Sequence, residues 1–183
     1  MEPLEQRIVL ATLIWQGDVD FFWNGGVDTV DTNWDTNGLP ADGDTLIFPG
    51  GAGNQMNIND TTAGNSYTLN VTGGLYDIDG NSITLDNGGP DIDVTNGDLT
   101  LWTDLVLDNS EISASGTSAG AVLLFGDITG SGGLTKSGGD YLDLYGTANI
   151  TGTVSIDDGG LGVYDFSLTA TTVSIASGAT LDG

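Results

Sequence analysis

The chain contains no histidine and no cysteine, and its 183 residues include only two basic side chains, Arg7 and Lys136. Without imidazole there is no Ser-His-Asp triad, no histidine general base and no His-ligated metal. Without thiols there is no disulfide frame, no thiolate nucleophile and no structural zinc site. The scarcity of Lys and Arg removes the phosphate contacts that nucleic-acid binding depends on, and an anionic membrane surface repels the chain for the same reason. Long hydrophobic runs are also missing. The stretch Ile8 to Ile14, broken only by Thr12, falls far short of the ~20 apolar residues of a membrane helix, so no membrane-spanning segment is expected. Arg7 alone precedes it, so the basic region of an ordinary signal peptide is absent, which leaves room only for a truncated or unusual export signal.

What is present is acid and glycine. The 26 acidic residues, 23 of them Asp, set a formal charge of −24 and a pI near 4.1, and there are 30 glycines. Hydrophobic residues still make up 38%, enough to build a core at this length. Asp is a poor helix former and a good turn former, because its short carboxylate bonds nearby backbone N–H groups. The Asp residues are spread along the chain. They read as a solvated face that keeps the protein soluble, with divalent cation binding and a calcium-stabilised rod as the sharper alternative.

Three zones are legible. Residues 1–11 form a leader-like, targeting-like segment. Residues 12–53 are rich in Trp, Asn, Asp and Gly and read as an N-terminal capping module. Residues 54–183 settle into one repeating texture of short apolar alternation, broken by Gly, Asn and Asp. Examples are Leu69-Asn-Val71, Ile83-Thr-Leu85, Leu99-Thr-Leu101, Leu105-Val-Leu107, Leu142-Asp-Leu144, Val154-Ser-Ile156 and Val173-Ser-Ile175. Period 2 places the apolar side chains on one face of a strand. No window carries helical apolar spacing over three turns, so almost no helix is expected.

Similar apolar pairs return at a loose period near 16–20, for example from Ile83 to Leu99, Val122 to Leu142 and Val154 to Val173. A β-sandwich returns its hairpin neighbours every ~8–12 residues. A β-solenoid stacks each coil on the last, so that equivalent positions line one interior. The very short strands, the long period, and the Thr, Ser and Asn beside core positions favour the solenoid, and the sandwich is the alternative. At about 20 residues and ~4.8 Å per coil, residues 54–183 make roughly six or seven coils and a rod of roughly 30 Å. Its open ends invite end-to-end self-association unless capped. The last residues, Ala179-Thr-Leu-Asp-Gly183, run out in mid-pattern, which reads as truncation of a longer repeat array.

Three stretches carry a resemblance. Leu4-Glu-Gln-Arg-Ile-Val-Leu10 resembles the Leu-Glu-Pro-Arg-X-Leu-Leu motif of large secreted and surface bacterial proteins, with Gln6 for Pro and Val9 for the first Leu. The segment with Trp15-Gln-Gly17, Asn33-Trp34 and Pro40-Ala-Asp-Gly-Asp44-Thr-Leu-Ile-Phe48 looks like the opening module ahead of autotransporter-type β-helices. Most specific is Gly132-Gly-Leu134-Thr-Lys136-Ser-Gly138, with Leu142-Asp-Leu144-Tyr-Gly146, Asn149-Ile-Thr-Gly152 and Val154-Ser-Ile156 after it. It resembles the autotransporter-associated β-strand repeat, with Ile150 near the usual Tyr and a spacing one residue shorter. The resemblance touches about a third of the chain. It implies an all-β, right-handed parallel β-helix on a bacterial surface or secreted protein, and it implies no catalytic residue.

Few residues qualify as candidates for chemistry, and no catalytic, cofactor-binding or metal-ligating residue is assigned. Asp77-Ile-Asp79-Gly-Asn81 starts like a calcium loop, but Ser82 and Gly88 occupy the positions that need Gly and a bidentate acid. An Asx-type turn is the reading there, and at Asp91-Ile-Asp93 and Asp157-Asp158. Lys136 stands at a repeat position and reads as a structural contact. Trp15, Trp23 and Trp34 read as core and cap packing, with a sugar-stacking platform as the alternative, while Trp102 reads as cover for a strand edge. Asn59, Asn70 and Asn149 open glycosylation sequons that an Asn/Thr-rich chain yields by chance. The expected function is a non-catalytic stalk, adhesin-like or matrix module, extracellular or on the cell surface. Its partner would be a surface component or a polysaccharide, and no cofactor is implied. The second reading is an extracellular carbohydrate-binding or carbohydrate-cleaving β-helix.

Overall fold

The computed structural model describes residues 10–24, 32–36, 38–86, 90–115, 121–164 and 167–183. All regular structure among them is β. The chain begins with β1 (Thr12–Ile14), then β2 (Thr45–Phe48) and β3 (Met56–Asn59). Four three-stranded coils follow: β4 (Thr68–Val71), β5 (Leu75–Gly80), β6 (Ile83–Leu85); β7 (Pro90–Val94), β8 (Asp98–Leu101), β9 (Leu105–Leu107); β10 (Ser110–Ala114), β11 (Val122–Leu124), β12 (Ile128–Gly130); and β13 (Leu134–Ser137), β14 (Tyr141–Leu144), β15 (Ala148–Ile150). Another holds β16 (Thr153–Ile156), β17 (Gly160–Val163) and β18 (Leu168–Thr169), before β19 (Thr172–Ile175) and β20 (Thr180–Asp182).

The strands stack into three parallel sheets. The first runs β1-β2-β4-β7-β10-β13-β16-β19, the second β3-β5-β8-β11-β14-β17-β20, and the third β6-β9-β12-β15-β18. Apart from β1 and β2, no strand pairs with the next strand in the chain; each pairs with strands one coil away, so the chain winds as a parallel β-solenoid of about six turns. All seven alternating segments named above lie in these strands. The spacing from Val122 to Leu142 and from Val154 to Val173 is a true rung-to-rung step. The spacing from Ile83 to Leu99 is not: Ile83 lies in the third sheet and pairs with Leu105, while Leu99 lies in the second and pairs with Val122. Apolar alternation is the same on all three faces, so it marks strands without saying which sheet they join.

Parallel pairing places like residues above like. The first sheet aligns Leu13, Leu46, Leu69, Ile92, Ile112, Lys136, Ile156 and Ile175 in one column. Beside it run Phe48, Val71, Val94 and Ala114. These side chains fill the interior; only the terminal rungs, with Ile175 and the neighbouring Val173 and Leu181, stay partly exposed. Corners take small or polar residues. Asn59 donates to Asn81 O, Asn81 donates to Thr61 O, and Thr103 donates to Asn81 O, forming the polar ladder that the Asn/Thr pattern predicts.

The Asp residues do more than face solvent. At corners, carboxylates accept from N–H groups of the next coil. Asp42 accepts from Ser66 N at 2.7 Å, Asp98 from Ala121 N at 3.1 Å, Asp104 from Asp127 N at 2.8 Å and Asp127 from Thr147 N at 2.9 Å. These bonds satisfy donors that a solenoid would otherwise leave open.

At the N-terminal end, Asp35 exchanges bonds with the exposed edge of β1: its N–H donates to Ile14 O at 3.0 Å and its Oδ1 accepts from Ile14 N at 2.9 Å. Trp15 and Trp34 form an antiparallel bridge there. The first sheet runs straight through the 53/54 boundary expected from composition, because β1 and β2 are already rungs of it. Of the leader-like segment, residues 1–9 lie outside the described residues.

Lys136 is the exception in its column. It is fully buried, flanked by Ile112 and Ile156, and its Nζ donates to the carbonyls of Ser137, Gly138 and Asp158 at 2.6, 2.7 and 3.2 Å. Its methylene stem continues the aliphatic column while the amine reaches the rim. Burial lowers the ammonium pKa from 10.5 to about 8, against a partial offset from Asp158 and Asp140. Between pH about 8 and 10.5 the unfolded chain therefore holds a proton that the folded chain has released, and stability rises with pH across that window. The Lys136→Met variant, which keeps the stem, is expected to lose this rise, read as Tm measured at pH 7.5 to 10.5 in both proteins.

Close coil stacking also explains two glycines. A Cβ at Gly126 would lie 2.1 Å from Thr103 O, and one at Gly146 would lie 2.0 Å from Gly126 O. The corner leaves no space between coils for a methyl group. Gly146→Ala is expected to destabilise the fold by ~2–4 kcal/mol, measured by urea unfolding.

Candidate functional site

The tryptophans that gathered in residues 12–53 point inward. Trp15, Trp23 and Trp34 are buried and pack edge-to-face: Trp15 and Trp34 have centroids 5.1 Å apart, and Trp23 and Trp34 6.0 Å. Phe48, Tyr67 and Tyr76 extend the cluster into the first coils. All three of these indole N–H groups are used. Trp15 Nε1 donates to Asn54 O at 2.6 Å, Trp23 Nε1 to Asn57 Oδ1 at 2.7 Å and Trp34 Nε1 to Trp23 O at 2.9 Å. No ring face is left for a sugar, so these residues are the packed cap.

The acidic motifs do not converge. Asp77 and Asp79 face outward from β5, and Asp79 accepts from Gly80 N, while Asn81 turns into the corner ladder. Asp91 is buried and accepts from Glu111 N at 3.1 Å, where the β7–β10 register shifts. Asp157 accepts from Ser155 and Asp158 from Gly159 N. Asn59 is buried with its amide and carbonyl engaged, which closes that sequon to modification; Asn149 is exposed. Lys136, enclosed as described, presents no cation to a substrate on the surface.

The second sheet's outer face carries a feature that the sequence reading missed. Trp102, Phe125, Tyr145 and Tyr164 each follow the last residue of β8, β11, β14 and β17, and they stack in one column. Neighbouring centroids are 4.2, 4.6 and 5.2 Å apart, with interplanar angles of 12, 8 and 22°. The signal was present as one aromatic per coil immediately after an apolar-polar-apolar strand. Trp102 covers no edge: it stands on the face of the sheet, with 51% of its surface exposed.

Below Trp102 lies an open groove of about 590 Å³, lined by Phe21, Met56, Ile58, Asp77, Asp79 and Trp102 among others. Its floor is the outer side of β3 and β5. The pairing of Ile78 with Leu101 puts Asp79 one rung beneath Trp102, and the pairing of Ile58 with Asp79 puts Ile58 one rung lower again. A smaller hollow of about 350 Å³ at the other end of the column is lined by Ala121, Asp140, Tyr141, Asp143 and Tyr164.

In that hollow, Asp143 Oδ1 is enclosed and accepts no hydrogen bond from the described residues. Burial, and then the charge of Asp182, raise the Asp143 pKa above its usual 3.8. The charge of Asp143 in turn raises the Tyr164 phenol. A raised carboxyl holds its proton more tightly in the folded state. Its charge therefore costs stability above the folded pKa, and that cost disappears as pH falls through it. Asp143→Asn is expected to raise Tm at pH 7, with the gain shrinking towards pH 3.8, checked by thermal melts across that range.

Neither protein-family models, nor curated protein sequences, nor solved structures give a match to this chain.

Proposed function

We propose that this chain is a non-catalytic β-solenoid module of a secreted or cell-surface bacterial protein, acting as a structural stalk, adhesin-like or matrix component. The observation that carries the reading is the uninterrupted parallel stacking of the first sheet from β1 to β19, with one buried column beneath it. Such a body holds its outer face rigid and offers a protease little extended backbone. The acidic surface keeps it dispersed. The likeness of Gly132–Gly152 to the autotransporter-associated repeat supports the extracellular setting. About six turns at ~4.8 Å give only ~30 Å of height.

The second reading, carbohydrate binding or cleavage, draws on the aromatic column and its groove. Two assays decide between the readings. Incubation with a panel of polysaccharides is expected to release no reducing ends, whereas turnover abolished by Asp77→Asn or Asp79→Asn would overturn the scaffold role. Digestion with a broad-specificity protease is expected to leave a stable core spanning β2 to β18, and wholesale degradation would overturn it as well.

A further inference from the structure

We infer that the groove beneath Trp102 is a binding site for an organic cation, the guanidinium or ammonium head of a basic peptide segment on a partner protein. The indole is the centre of the site. One face of Trp102 is covered by Phe125 at 4.2 Å and 12°. The opposite face looks along the column towards the rung of Asp79 and lines the groove. Phe125, Tyr145 and Tyr164 stack behind it and hold the ring plane in place, so a ligand meets an indole that is already ordered. Trp is the aromatic side chain best suited to cation–π contact.

The other groups in the groove fit the same ligand. Asp77 and Asp79 put two carboxylates on the floor, one rung from the open ring face. Phe21, Met56 and Ile58 supply apolar surface for the methylene stem of an arginine or lysine. Charge selects a cation over a neutral sugar. The chain carries −24, Lys136 is buried, and Arg7 lies outside the described residues, so no described basic side chain is available at the surface to neutralise the groove. The resulting field concentrates cations at an acidic cleft and does nothing for a neutral ligand. The site stands whether or not the body serves as a stalk, because it depends only on this outer face.

The test is calorimetric titration of the full chain with a capped Arg-Gly-Arg peptide at ~150 mM salt, where diffuse attraction is screened. Trp102 fluorescence is followed in parallel, since the other three indoles are buried. The expected result is saturable one-site binding that perturbs this fluorescence. Asp77→Asn with Asp79→Asn, and separately Trp102→Leu, should each weaken binding about tenfold or more, roughly the loss of one charge-assisted or cation–π contact. Asp108→Asn with Asp157→Asn removes the same charge away from the groove and should change affinity less than about twofold. Absence of saturable binding overturns the proposal. So does equal weakening by both charge-removing pairs, which would mean diffuse attraction, and so does displacement of the peptide by a neutral oligosaccharide.

Discussion

Everything in this molecule depends on parallel backbone pairing between successive coils. Each strand gives its N–H and C=O groups to the coils before and after it, so every residue sits directly above and below its equivalents. A position is then judged by its column. Interior columns must be apolar throughout, and corner columns must be small or able to hydrogen-bond along the axis. Lys136 shows how strict the first condition is. It occupies the column of Ile112 and Ile156 because its stem is aliphatic and its amine finds three carbonyls at the rim. Gly126 and Gly146 show the second: backbone passes over backbone there with no room for a Cβ.

The same constraint creates two problems that the structure answers with different chemistry. At the corners some N–H donors find no carbonyl in the neighbouring coil. Asp42, Asp98, Asp104 and Asp127 reach across with carboxylates, so much of the acidity serves as inter-coil capping and not only as a hydrated surface. Among the described residues, no strand precedes the edge of the first rung. There Asp35 pairs with Ile14, and the indoles of Trp15, Trp23 and Trp34 close the interior with area and edge-to-face packing. Short polar side chains act where the gap is one hydrogen bond wide, and large rings act where it is the cross-section of the core.

The architecture was readable in the sequence because period-2 alternation and Gly-rich breaks are local signals, and the seven quoted segments all became strands. Rung register was readable only where neighbouring coils had similar lengths, as from Val122 to Leu142. It failed from Ile83 to Leu99 because all three sheets share one pattern. The burial of the N-terminal tryptophans matched their reading as cap packing. The role of Asp was missed because its acceptor function depends on which backbone lies one coil away, a distance of 20 or more residues along the chain. The aromatic column was missed for the same reason: Trp102, Phe125, Tyr145 and Tyr164 look unrelated until register aligns them.

That column follows from a coincidence of lengths. Coils are spaced ~4.8 Å apart, and flat rings stack comfortably at about that separation. Identical outward positions occupied by aromatics therefore stack without adjustment, which the centroid spacings of 4.2 to 5.2 Å record. Stacking consumes ring faces. Phe125 and Tyr145 have neighbours on both sides, whereas Trp102, at the N-terminal end of the stack, keeps one face open. The end bearing the indole is the one that opens onto the larger groove, with Asp79 in the next place along the column. Outward positions are free of the interior's demands, so a solenoid gains recognition chemistry by ending a stack, and it does so without disturbing the pairing that holds the coils together.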